Sequence, residues 1–117
     1  MTNINIKGTE YSVTFNMGAM HKLAGLLGVK KIADIEKGLE DASELDATAI
    51  VLYSGVYGYY HYELKQAVPN NITLDGITTD LGSLDSTLFG EKMIEVFSMI
   101  YTKQEAEGEK KSEAIAA

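Results

Sequence analysis

The side chains able to do chemistry in this chain are two histidines, a run of tyrosines and scattered carboxylates, and cysteine is absent. A zinc site would need several His, Cys or carboxylate ligands at set spacing. His21 and His61 stand far apart, and His61-Tyr62-Glu63 does not place two ligands on one helix face. Neither histidine can be paired from sequence with a nucleophile, so both read as structural or exposed. Acid–base catalysis needs carboxylates in a cleft or buried site that shifts their pKa values. Glu40-Asp41, Glu44 and Asp46 stand among polar neighbours and read as a solvated face. A phosphate-binding loop needs glycines between a strand and a helix N-terminus. Gly55 and Gly58 fall inside a helical stretch instead, which points to close packing of a neighbouring element.

What remains is the chemistry of recognition. Tyr53, Tyr57, Tyr59, Tyr60 and Tyr62 crowd one stretch, and tyrosine offers large rigid area with a polar end, the property that enriches it in interface hot spots. Five tyrosines on one helix point in several directions. Tyr53 and Tyr57 read as core, whereas Tyr59, Tyr60 and Tyr62 fit either the core or a surface that binds a partner or a second copy of the chain, and are the candidates for such a surface. No catalytic residue, metal ligand or cofactor is expected.

The element that must position these rings runs from Asp46 to Glu63, with no charged residue between the two acids and no proline. On a helix, Ile50, Tyr53, Tyr57, Tyr60 and Leu64 form one stripe with Leu52, Val56 and Tyr59 beside it, while Val51, Ser54, Gly55 and Gly58 make a small-residue back. A helix apolar on nearly every side is buried among other elements. Each interior glycine costs roughly 1 kcal/mol against alanine, a cost that makes sense where another backbone passes close. The stretch is too short and too rich in tyrosine for a membrane span, which needs about 20 apolar residues.

Around this rod the remaining segments read as supports. Asn3 to Ile6 and Thr9 to Phe15 alternate polar and apolar about Lys7-Gly8, which predicts a β-hairpin that leans on helices. Asn16 caps a helix carrying Met17, Met20, Leu23, Ala24 and Leu27, closed by Gly28. A weaker helix runs from about Lys31 to Leu39 on Ile32, Ile35 and Leu39. Ser43 and Asp46 resemble a capping box for the central helix, and Pro69-Asn70-Asn71 marks its end. Thr73 caps a short helix through Ile77 and Leu81 to Gly82. Asp85 caps the last helix, whose stripe is Phe89, Met93, Val96, Phe97 and Ile100, with Glu91, Lys92, Glu95 and Lys103 facing water.

The chain of 117 residues reads as one domain over 1–103 with a flexible acidic tail over 104–117, where Ile115 is the only large apolar side chain. The expected fold is α+β and mostly α-helical: an N-terminal β-hairpin packed on a small bundle of about four to five helices. The formal charge of −7 repels phosphate backbones, so no nucleic-acid partner is expected, and a basic protein or peptide is the better electrostatic match. Met1 to Asn5 shows neither a basic nor an apolar leader segment, which makes the cytoplasm the default compartment.

Several segments together carry a resemblance. Ile4-Asn5-Ile6-Lys7-Gly8-Thr9-Glu10-Tyr11-Ser12-Val13-Thr14-Phe15-Asn16-Met17 is a hairpin leading into a helix, and Leu23-Ala24-Gly25-Leu26-Leu27-Gly28 ends that helix at a glycine. Ile50-Val51-Leu52-Tyr53-Ser54-Gly55 is a central apolar helix with small residues. Thr73-Leu74-Asp75-Gly76-Ile77 is a later capped helix, and a Lys/Glu-rich end follows Tyr101. In this order the chain resembles the small tail assembly chaperones of long-tailed bacteriophages, of the type with an N-terminal hairpin. The resemblance implies a non-enzymatic protein of the host cytoplasm. It would bind the tape-measure protein, keep that long helical chain soluble, help recruit tail-tube protein and leave before the particle is finished. In that family a longer product made by ribosomal frameshifting is frequent. Two other readings stand beside it: a structural tail or connector component that stays in the particle, and a small ligand-binding or enzymatic domain with its site near His61 and the tyrosines.

Overall fold

A computed structural model describes residues 1–100. The acidic tail expected over 104–117, and Lys103, lie outside the described residues. Strands β1 (Thr2–Ile6) and β2 (Thr9–Val13) pair antiparallel, with Ile4 opposite Tyr11 and Ile6 opposite Thr9. Lys7 and Gly8 both take positive φ, 52° and 85°, the combination whose twist matches two right-twisted strands. The period of two sends Ile4, Ile6, Tyr11 and Val13 into the core and leaves Asn3, Asn5 and Glu10 in water.

Four helices begin on the polar side chains that the sequence marks. Asn16 accepts from the Ala19 N–H at 2.9 Å and opens α1 (Met17–Leu27). Ser43 accepts from Asp46 at 3.1 Å and opens α3 (Glu44–Tyr57), after α2 (Ile35–Asp41). Thr73 accepts from Gly76 at 3.0 Å and opens α4 (Leu74–Gly82), and Asp85 accepts from Leu88 at 2.9 Å and opens α5 (86–100). Each oxygen satisfies one amide that the first turn leaves without a carbonyl. Gly28, at φ 73°, closes α1: its N–H donates to Gly25 and that of Val29 donates to Ala24, the paired bonds of a left-handed helix end. The segment expected as one helix from Lys31 starts instead as a tighter 3₁₀ turn, Ile32–Asp34. Ile35 and Leu39 are buried, and Ile32, in the 3₁₀ turn ahead of them, stays exposed.

The central helix packs against α1, α4 and β2, and another backbone passes close to its small-residue back, as expected. The stripe of large residues is its outer side: Ile50, Tyr53, Tyr57 and Tyr60 are half-buried, and Leu64 is 40% exposed. The small back is the innermost side, with Val51, Ser54, Gly55 and Gly58 sealed. The cause is the link between β2 and α1. A Cβ on Gly55 would stand 2.8 Å from the Phe15 ring. One on Gly58 would strike the Thr14 carbonyl oxygen and come within 2.7 Å of the Ala19 Cβ. Small residues let a second backbone approach this face to contact, which excludes water more completely than the rims of large rings do.

The link is also bonded to the helix. Thr14 N–H donates to the Gly55 carbonyl at 3.0 Å, and the Asn16 side-chain amide donates to the Gly58 carbonyl at 3.1 Å. At the middle of β2, the Tyr11 hydroxyl donates to Asp80 of α4 at 3.0 Å. Tyr11 is buried, and burial first, then the Asp80 carboxylate, push its phenol from 10.0 up to about 12. Thr48 and Ser54, the buried polar side chains of α3, donate back to the carbonyls of Glu44 and Ile50 in their own helix.

Two outcomes follow for stability. Gly58→Ala must force the Thr14 backbone away and should cost at least about 2 kcal/mol in urea unfolding. Gly25→Ala, in α1 with nothing within 4 Å of the new methyl, should instead gain up to about 1 kcal/mol. In alkali, the folded protein holds the Tyr11 proton more tightly than the unfolded chain does. That contribution is whole below pH 10.0 and is lost as pH rises to about 12, by up to about 3 kcal/mol. The stability advantage of the parent over Tyr11→Phe should therefore shrink across this range in parallel urea titrations.

Candidate functional site

The rings expected to meet a partner sit on a widened turn. The α-helical winding stops at Tyr57 and residues Gly58–Glu63 are π-helical, where a regular α-helix is the simplest reading of the sequence. The Leu64 N–H reaches back to the Tyr59 carbonyl at 2.9 Å, five residues away. Two carbonyls at the transition, those of Gly55 and Gly58, already accept from Thr14 and Asn16, and such outside partners are a recognised cause of local unwinding. Thr14 Oγ1 also donates to Glu63 Oε2 at 2.6 Å, which holds the far end of the turn to the same link.

Winding at five residues per bond brings side chains five apart together. Tyr57 and Tyr62 meet edge-on with centroids 5.9 Å apart, an approach that a 3.6-residue turn does not make. His61 stacks on Tyr57 at 4.7 Å and meets Tyr62 at 4.8 Å. Lys22 of α1 lies over the Tyr57 ring at 4.4 Å, a cation–π contact worth about 0.5–1 kcal/mol at an exposed site. The back of the Tyr62 ring lies on Gly18, so closely that a Cβ there would overlap it. Tyr62 is 41% exposed, and Leu64, two residues on, and Met17, the neighbour of Gly18 in α1, are exposed as well.

The three sequence-predicted residues are therefore not one cluster. Tyr62 belongs with Tyr57 and His61. Tyr59 and Tyr60 form a separate edge-on pair at 5.0 Å and are both half-buried, with Tyr60 packed against the core. Tyr57, assigned to the core from sequence, contributes to the outer aromatic surface. His21 and His61 are both exposed. Among the described residues no three His, Asp or Glu side chains gather where they would hold a metal ion.

Sequence reasoning missed a second concavity at the opposite end of α3. A groove of about 480 Å³ runs between α2, the start of α3 and α5, and is floored by Leu39, Ala47, Met93, Ile94 and Phe97. The signal available was Ile94, an apolar residue lying off the core stripe of the last helix; it is 68% exposed.

No family model, curated protein or solved structure matches the chain. Among the described residues no helix is long and apolar enough to cross a membrane.

Gly18 tests the placement of Tyr62. In Gly18→Ala the added methyl would overlap the Tyr62 ring, so the ring of this 41% exposed residue must be displaced. Unfolding free energy should change by no more than about 1 kcal/mol. The NMR signals of the Tyr62, Tyr57 and His61 rings should shift together, while those of Tyr11 stay in place.

Proposed function

We propose that the protein works by binding another polypeptide, as a tail assembly chaperone of a long-tailed phage or prophage that holds the tape-measure protein during tail morphogenesis. The observation that carries this reading is the aromatic turn at the end of the central helix. Tyr62 is 41% exposed there, with Leu64 at 40% and Met17 at 65%. Exposed rings and aliphatic side chains beside a sealed core are what a partner's apolar helix face can bury. Order in the chain supports it too: a hairpin, a glycine-closed helix, a central apolar helix and a capped short helix follow one another as the resemblance implies. In this role the acidic surface keeps the complex soluble in the host cytoplasm. Tail-tube protein would be recruited to the complex, and no bond is made or broken.

Binding is the test. The double variant Tyr59→Ser/Tyr62→Ser, with its helical circular dichroism unchanged, should bind the tape-measure protein encoded downstream at least about tenfold more weakly by titration calorimetry, the loss typical of an aromatic hot spot. Equal affinity in the folded double variant would remove these tyrosines from the interface.

A further inference from the structure

The groove at the start of α3 has its own chemistry, and the argument for its occupant does not depend on the phage reading. Its apolar wall is Met93, Ile94 and Phe97 of α5, facing Leu39 and Ala47. The rim on the other side carries Glu36, Glu40 and Glu44, all exposed. Glu36 and Glu40 are one helical turn apart on α2, so their carboxylates line one edge. Among the described lining residues there is no lysine or arginine. Small-molecule sites use a few polar groups that converge inward to fix orientation. Here the polar lining side chains, the glutamates and Ser98, are all exposed at the margin.

We infer that this groove docks an amphipathic helix of another protein, whose apolar stripe covers Ile94 and Met93 and whose flanking lysines or arginines face Glu36, Glu40 and Glu44. Charge selects this occupant. A second copy brings a net −7 against an acidic rim. The chain's own end, from Gln104, carries Glu105, Glu107, Glu109 and Glu113 against Lys110 and Lys111, and is acidic as well. An anionic membrane or a nucleic acid is repelled for the same reason. A basic helix gains from the whole field and from each rim carboxylate, and its apolar stripe removes Ile94 from water.

Fluorescence anisotropy of the full chain with a labelled leucine–lysine peptide of roughly 18 residues, five helical turns, tests the assignment, against a twin peptide with glutamate at every lysine. The lysine peptide should bind and the glutamate twin should not. Ile94→Glu should weaken binding by roughly tenfold or more, as expected for the central apolar contact of an interface. Glu36→Lys/Glu40→Lys should weaken the lysine peptide and gain affinity for the glutamate twin, an exchange that non-specific attraction to an acidic protein does not give. These positions are exposed, so the fold survives substitution, and Tyr62→Ser at the other end of α3 should bind like the parent. The inference is overturned by failure of the parent to bind, by equal affinity of Ile94→Glu, or by no exchange of preference. It is also overturned if Ile115→Glu tightens binding, which makes the chain's own end the occupant, or if light scattering shows a dimer that Ile94→Glu dissolves, which makes it a second copy.

Discussion

The contact between the link Thr14–Asn16 and the small face of α3 is the constraint on which the other elements depend. It combines steric fit with bonding. Gly55 admits the Phe15 ring and Gly58 the Thr14 backbone at distances that any side chain would forbid, and their carbonyls take the Thr14 amide and the Asn16 side chain. Asn16 uses both ends of its amide, since its oxygen caps α1 while its nitrogen holds Gly58. One residue thus fixes where the hairpin ends, where α1 begins and how close both lie to the central helix. A lone hairpin is marginal in water. This one is held at its exit by α3 and at its middle by the bond from Tyr11 to Asp80.

The same contact shapes the candidate surface. The regular ladder gives way to the wider turn at Gly58, the residue whose carbonyl takes the Asn16 side-chain amide. The widened turn brings Tyr62 under Tyr57 and lays it on Gly18. Tyr62 is therefore exposed on one face and braced on the other. Bracing matters for recognition, because a ring already held in place loses little freedom when a partner covers it. The aromatic surface is in this sense a product of the packing at Gly58.

Short-range features were legible in the sequence. Asn16, Ser43, Thr73 and Asp85 announce helix starts because the bond each makes spans only three residues. Lys7-Gly8 and Gly28 announce a turn and a helix end because few residues tolerate positive φ. What periodicity does not encode is depth. Ile50 and Tyr53 carry far more apolar side-chain area than Ser54 and Gly55, yet the small residues lie deeper because they set the distance of approach. Nor are the bonds at the start of the π turn local, since their donors on Thr14 and Asn16 lie more than forty residues upstream of the carbonyls they bond. Tyr59, Tyr60 and Tyr62 looked like one group because they are neighbours in the chain, and the changed winding separates them. The groove escaped notice for a related reason. Leu39, Ala47 and Ile94 come from three helices, and each is ordinary until the fold brings them together.

A central helix sealed along its length restricts where the protein can meet others. Its middle turns, from Ala49 to Val56, offer little beyond the outer rims of Ile50 and Tyr53, so the accessible surface of this helix lies at its ends. The ends differ chemically for reasons internal to the helix. The N-terminus favours acids, and Glu44 and Asp46 occupy its first turn; the C-terminal turn carries rings with a single lysine, Lys22, over one of them. From Ala47 to Gly58 the axis rises roughly 16 Å, about three turns of any helix laid alongside. Two surfaces at that spacing, one acidic and aliphatic and one aromatic, select for different features of a polypeptide. A single long partner helix that satisfied both would need its basic residues and its apolar anchors in a fixed order. The rod between the two surfaces thereby sets the direction and spacing that one partner spanning both would have to match.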